Sequence, residues 1–249
     1  VRSKVSVRLA GNTSNNILMR IVFACAGEQT RWRNYLNCPK HLVPVQGNPL
    51  LKRNIELFAR VFNCGQFHVS IRSEELKNTY SLADNICFYV ANNIEAGEPW
   101  VKTLLPFLRA TEEDVLVLLG DVIFSENCVS AMLHNVTKNV FNIYGRKYKS
   151  SITGGKWGEL FALYIPQHFK ESFLNAVNAV EQLYTTKEIN RFSGWEVISY
   201  IYSNKSLEDL ERVFNNRLYP DNFIEVDDET EDFDYPEDYD NYLNLLKND

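Results

Sequence analysis

Apolar positions along this chain fall into short strand-like runs separated by longer stretches with helical spacing. Ile21 to Ala24 form a short apolar run, β-branched at its start, which predicts a buried strand over 20–25. Leu50, Leu51, Ile55, Leu57, Phe58 and Val61 then recur near helical spacing behind Pro49, predicting a helix over 49–62. Strands are expected at 66–71, 86–90 and 114–119, the last (Asp-Val-Leu-Val-Leu-Leu) being the most hydrophobic in the chain. Helices are expected at 74–84, 98–110 and 126–136. Strands at 140–144 and 160–165 flank a Gly-rich turn, Thr153-Gly-Gly-Lys-Trp-Gly-Glu159. Helices at 169–183 and 195–202, a last strand at 223–226 and a terminal helix at 239–246 complete the pattern.

Strands alternating with helices predict an α/β fold, a three-layer α/β/α sandwich around a mostly parallel, Rossmann-like sheet. In such sheets ligands bind at the carboxyl ends of the strands, where the strand order reverses. No repeat or low-complexity linker divides residues 19–249, so one domain is expected there. Residues 1–18 read differently: Val5, Val7 and Leu9 alternate, then Gly11-Asn-Thr-Ser-Asn-Asn16 breaks the pattern. They are read as an upstream, non-native extension before a start at Met19, with a genuine edge strand as the alternative.

Composition narrows the function. With 45% hydrophobic and 23% charged residues among 249, the chain can bury a large core. A net charge of -6 argues against broad nucleic-acid binding, which needs a basic face. Five cysteines (Cys25, Cys38, Cys64, Cys87, Cys128) lack metal spacing and suit reduced thiols in a cytoplasmic protein. No apolar run approaches the ~20 residues of a membrane span. The four histidines (His41, His68, His134, His168) show no metal-site spacing, and packing or surface roles are expected of them.

The candidate chemistry begins where the first strand ends. Cys25 to Thr30 is small and polar, and Arg31 and Lys40 follow it. A buried strand opening into such a loop suits phosphate binding, with backbone N–H groups as the cradle and cations neutralising charge. Taken singly, Arg31 and Lys40 are ordinary surface charges. Asp121 sits just past the most apolar strand, where a carboxylate can reach Mg²⁺; as a bare residue it is also an ordinary turn aspartate. The acidic run from Glu225 to Asp240 is, by composition alone, a solvated segment.

As an ordered set, Ala24-Cys-Ala-Gly27, Thr30-Arg31, Pro39-Lys40, Gly47-Asn-Pro-Leu-Leu51, Leu118-Leu-Gly-Asp121 and Asp234-Tyr-Pro-Glu-Asp238 resemble the nucleotidyltransferase superfamily. Its members include sugar-phosphate and alcohol-phosphate nucleotidyltransferases, phosphocholine cytidylyltransferases and the molybdenum cofactor guanylyltransferase. The resemblance spans residues 20 to about 240 and implies the nucleotide-diphospho-sugar transferase type of fold. It implies transfer of NMP from an NTP to a phosphorylated sugar, polyol or amino alcohol, with pyrophosphate released and Mg²⁺ (or Mn²⁺) as cofactor. CTP is the preferred nucleotide on this reading.

The resemblance also implies roles for particular residues. Ala24, Ala26, Gly27, Glu28, Gln29, Thr30, Arg31 and Lys40 would hold the triphosphate, Arg31 the leaving pyrophosphate and Lys40 the α-phosphate. Glu95, Ala96 and Gly97 would face the base. Asp121 and Asp234 would hold the metal, with Asp232 and then Asp227 as alternatives to Asp234. Lys156, Trp157, Glu159 and Trp195 would face the acceptor, with a hairpin turn and ordinary aromatic packing as the alternative for this region. Gln29 stands where the family has its second loop glycine, so it either reshapes the loop or contributes an amide. A nucleotide-sugar-dependent glycosyltransferase and a non-catalytic nucleotide-binding regulator are the rival readings. The absence of a mid-chain Asp-x-Asp counts against the first, and the retained Arg31, Lys40 and Asp121 against the second.

Overall fold

The run Ile21-Val-Phe-Ala24 lies at the centre of the molecule because its side chains are apolar on both faces and find cover on both. It belongs to β1 (Met19–Ala24) of a seven-stranded sheet. The computed structural model describes residues 19–27, 29–62, 66–72, 74, 77, 86–91, 98–136, 139–150, 152–155, 158–203 and 219–247. The expected extension 1–18 and most of the expected helix 74–84 lie outside the described residues, as do Glu28, Glu95, Ala96, Gly97, Lys156 and Trp157.

A short hairpin, β2 (Pro44–Val45) and β3 (Asn48–Pro49), leads into α1 (Leu50–Phe62). Next come β4 (Phe67–Ile71), β5 (Ile86–Val90), α2 (Trp100–Thr103), α3 (Leu105–Ala110) and β6 (Asp114–Leu119). The chain continues through β7 (Val122–Ile123), α4 (Glu126–Val136), β8 (Asn142–Arg146), β9 (Glu159–Ile165), α5 (Lys170–Thr185) and α6 (Gly194–Tyr202). It closes with β10 (Phe223–Glu225), β11 (Glu231–Asp232) and α7 (Pro236–Leu245).

The sheet order is β10-β8-β9-β6-β1-β4-β5. Every pairing is parallel except the two made by β9, which runs antiparallel to β6 and β8. Helices flank the sheet, α1 packing beside α4 and α5 beside α6. From β1 the chain steps outward through β4 to β5, then returns to place β6 on the other side of β1. The order therefore reverses between β1 and β6, the position at which an open α/β sheet opens a ligand crevice.

One expected helix needs correction. The helix expected over 98–110 is two helices broken at Leu104. Pro106 lacks the N–H that would bond the Lys102 carbonyl, so the chain closes α2 and restarts as α3. The segment between Arg31 and Lys40, for which the sequence pattern predicts no element, folds through short 3₁₀ turns at Thr30–Trp32, Tyr35–Asn37 and Lys40–Leu42. Arg33, Asn34, Leu36 and Asn37 all take left-handed backbone conformations there. That doubles the chain back on itself. Trp32 anchors the reversal, with its ring fully buried and its Nε1–H donating to the Tyr35 and Cys38 carbonyls at 3.1 and 3.0 Å.

Trp32 belongs to a second, smaller core with Val43, Val45, Leu50, Ile123, Phe233, Tyr239 and Tyr242. This cluster ties the segment after β1 to the segment after β6 and to the C-terminal helix. It is the reason that three stretches far apart in sequence meet at one end of the sheet.

Candidate active site

The ends of β1 and β6 approach as closely as backbone allows. Gly120 N–H donates to the Ala24 carbonyl at 3.2 Å, and a Cβ on Gly120 would stand 2.4 Å from Cys25 Sγ. Glycine is needed there so that Asp121 can emerge directly beside the loop that follows β1.

The acidic run arrives at the same place by strand pairing. β11 lies antiparallel to β7, with Asp232 opposite Val122, and Phe233 N–H donates to the Asp121 carbonyl at 3.2 Å. In extended chain, side chains alternate between faces. Phe233 goes into the second core, fully buried, so Asp232 and Asp234 point to the other face, toward Asp121. Carboxylate oxygens of Asp121, Asp232 and Asp234 lie within 4.8 Å of one another. Asp227 is exposed, lines no part of the cleft and stands apart from this group. The run thus brings Asp232 and Asp234 to the site together, rather than one in place of the other.

A buried ion pair fixes the segment that carries them. Arg146 NH1 and NH2 each lie 2.9 Å from an oxygen of Glu231, a bidentate pair with both side chains almost fully buried. Thr153 Oγ1 also donates to Glu231, and Glu231 Oε1 accepts the Asp232 N–H at 3.1 Å. Arg146 and Glu231 were not singled out by the sequence; only their burial as charged residues reveals them.

Two cations face the carboxylates. Lys40 Nζ lies 2.8 Å from Asp121 Oδ2 and 3.4 Å from Asp234 Oδ1. Arg31 NH1 bonds Asp234 Oδ2, and its guanidinium lies over the Tyr235 ring. Burial alone would lower the Lys40 ammonium, but Asp121, Asp232 and Asp234 outweigh it and raise its pKa. Burial would raise Asp121, yet the adjacent Lys40 holds it below the usual carboxylate range. Asp232 has no such close partner: burial, then Asp121 and Asp234, push its carboxyl well up. Its Oδ1 is buried without a hydrogen-bond partner. A divalent cation suits this arrangement on chemical grounds, since hard carboxylate oxygens converge and one of them lacks any protein donor.

The cleft extends from this cluster along the loop after β1 to a wall built from α2 and the start of α6. Ala24, Gly27, Gln29 and Thr30 line the loop side, and Glu98, Trp100, Glu159, Arg191, Ser193 and Trp195 line the far side. Ala26 is fully buried behind the loop and does not line the cleft. Trp195 stacks on Phe223 and meets Tyr219 edge-on. Glu159 opens β9 at the cleft; burial, then Asp234, raise its carboxyl to about 7, against the lowering effect of Arg146. Trp100, Arg191 and His41 also line the cleft and were not anticipated. Trp100 follows a stretch that had been read only for its small residues. His41 is buried, with its pKa lowered to about 4, first by burial.

A reversed-order α/β sheet, a loop with paired cations and a carboxylate cluster at the switch point define the nucleotide-binding transferase class. Residues 21–212 match the MobA-like NTP transferase domain, and the chain belongs to that family and is a nucleotidyltransferase. Solved structures share the fold. A UDP-glucose pyrophosphorylase aligns at TM-score 0.58 and 12% identity over 93% of this chain and 99% of its own. 4-Diphosphocytidyl-2C-methyl-D-erythritol synthase from Anaerococcus prevotii aligns at 0.54 and 14% over 92% and 98%. CTP:phosphocholine cytidylyltransferase from Streptococcus pneumoniae aligns at 0.53 and 15% over 92% and 99%. No curated protein sequence matches the chain. Among the described residues, no helix is long and apolar enough to cross a membrane.

Proposed function

We propose that this protein transfers NMP from an NTP, with CTP preferred, to a phosphorylated sugar, polyol or amino alcohol, releasing pyrophosphate. The observation that carries the reading is the convergence of Asp121, Asp232 and Asp234 on a face shared with Lys40 and Arg31. The neighbours that handle sugar-phosphate and CDP-alcohol products support the acceptor class.

In this mechanism an oxygen of the acceptor phosphate attacks the α-phosphorus in line. A P–O bond forms there as the α–β phosphoanhydride bond breaks, and pyrophosphate leaves. The acceptor phosphate is already largely ionised near neutral pH, so no general base is needed. Asp121, Asp232 and Asp234 would hold Mg²⁺ or Mn²⁺, which supplies charge neutralisation for the phosphates. Lys40 and Arg31 leave their carboxylate partners for phosphate oxygens, Lys40 on the α-phosphate and Arg31 on the departing pyrophosphate. The loop from Ala24 to Thr30 cradles the triphosphate through backbone N–H groups. Glu159, Trp100 and Trp195 form the acceptor wall. Lys156 and Trp157 remain acceptor candidates from the sequence, and Glu95 to Gly97 base-facing candidates.

The test is pyrophosphate release by purified protein with Mg²⁺, each NTP and a panel of phospho-sugars, phospho-polyols, phosphocholine and phosphoethanolamine. Release with one nucleotide and one acceptor class, lost in Asp121→Ala, is the expected result. Tight nucleotide binding without release from any pair contradicts it.

A further inference from the structure

The residue that replaces the loop glycine is tied into the site by both ends of its amide. Gln29 Oε1 accepts the Lys40 backbone N–H at 2.8 Å, and Gln29 Nε2 lies 3.3 Å from His41 Nδ1. These two contacts fix the hydrogen positions. A flipped amide would set N–H against the Lys40 N–H, so the oxygen must face Lys40. The nitrogen then donates to His41, whose Nδ1 must accept and whose ring proton must sit on Nε2. A neutral His41 agrees with its burial.

We propose that Gln29 is a positioning residue that locks the phosphate loop to the Lys40–His41 turn, so that the loop and Lys40 engage the triphosphate as one unit. The two segments have no covalent reason to move together, since the Trp32 reversal separates them. Gln29 spans that reversal with a single side chain. Lys40 Nζ bonds two carboxylates of the cluster, Asp121 and Asp234, and a shift of its backbone displaces its Nζ directly. The consequence falls on turnover rather than on nucleotide affinity, because the start of the loop stays tied to β4 and Arg72, through Cys25 N–H to the Ser70 carbonyl and Arg72 Nε–H to the Ala26 carbonyl. This inference rests on the proposed nucleotidyl transfer.

The test compares Gln29→Ala, Gln29→Gly and Gln29→Glu for kcat, NTP KM and melting temperature, with ¹⁵N spectra of the His41 ring in the nucleotide-free protein. In Gln29→Ala and Gln29→Gly, kcat is expected to fall on the order of 10- to 100-fold, with NTP KM changing less than about threefold. Gln29→Glu keeps the acceptor for the Lys40 N–H but cannot donate to His41 Nδ1, so its kcat falls less than that of Gln29→Ala while its added charge raises NTP KM. The wild-type His41 ring is expected as the Nε2–H tautomer. Alanine and glycine variants that keep wild-type kcat, whether or not they melt earlier, overturn the inference, as does a wild-type ring proton on Nδ1. If wild type releases no pyrophosphate from any pair, the proposed reaction fails, and the ring spectra still decide the clamp.

Discussion

Lys40 Nζ lies 2.8 Å from Asp121 Oδ2, so in the nucleotide-free protein the cation assigned to the α-phosphate neutralises a carboxylate assigned to the metal. Each partner holds the other charged until ligand arrives. Lys40→Met therefore has two separable effects. It removes a donor from the developing charge on the α-phosphate, lowering kcat on the order of 10²- to 10³-fold. It also leaves Asp121 without its cation, so added Mg²⁺ raises the melting temperature more in the variant than in wild type. Steady-state kinetics and melting curves with and without Mg²⁺ check both.

Asp232 Oδ1 is the cluster oxygen that is buried without a protein donor. Asp232→Asn removes the cost of burying an ionisable carboxyl between Asp121 and Asp234. The metal-free protein should gain about 1 kcal/mol of stability, while Mn²⁺ affinity, followed by calorimetry, falls on the order of tenfold. Unchanged Mn²⁺ binding would show that Asp232 is only packed near the site.

The Arg146–Glu231 pair is predicted to carry the acidic segment. Arg146→Met leaves Glu231 buried without its cation and is expected to lose about 3–5 kcal/mol by denaturant unfolding. Combined with Glu231→Leu, which removes the stranded charge, most of that loss should be recovered. Mn²⁺ affinity should stay weakened in the double variant, because Asp232 N–H has lost the Glu231 acceptor.

Stability at acid pH is predicted to depend on Glu113. Burial would raise its carboxyl, but Arg20 at 2.9 Å and Thr111 bring it down to about 2 from an unfolded value near 4.5. A lowered folded pKa adds stability that is full above pH 4.5 and is lost as pH falls toward 2. Glu113→Gln should therefore be less stable than wild type by about 1–2 kcal/mol at pH 7, allowing for solvent screening, and the gap should close near pH 2. Denaturant melts at both pH values measure it.

Gly194 sets the position of the far wall. A Cβ on it would stand 2.6 Å from the Trp100 indole. Gly194→Ala should push Trp100 toward the cleft, altering tryptophan fluorescence and raising acceptor KM about tenfold. Equal acceptor KM in the two proteins would separate Trp100 from acceptor binding.

The sequence carried most of the sheet because its strands are continuous apolar runs: residues 86–90 and 114–119 were readable to the residue. The place of the loop after β1 and of Asp121 beside the same cleft was readable because both follow such runs. The choice among Asp227, Asp232 and Asp234 was not, because it depends on the pairing of β11 with β7, and a two-residue strand has no periodicity of its own. The burial of Phe233 is what aligns Asp232 with Asp234; the alternation Asp-Phe-Asp was visible, but only as part of an acidic run. The reversal around Trp32 was hidden for another reason. Arg33, Asn34, Leu36 and Asn37 adopt left-handed conformations without a glycine to announce them.

The central claim is that this site splits an NTP between its α- and β-phosphates and delivers the NMP to an acceptor phosphate. Single-turnover reaction with CTP labelled at the α-phosphorus, Mg²⁺ and the acceptor that supports pyrophosphate release tests it directly. The account predicts that all label appears in the CDP-linked product and none in pyrophosphate, with Asp121→Ala abolishing the transfer. Label left in CTP while a nucleotide sugar serves as glycosyl donor would contradict it.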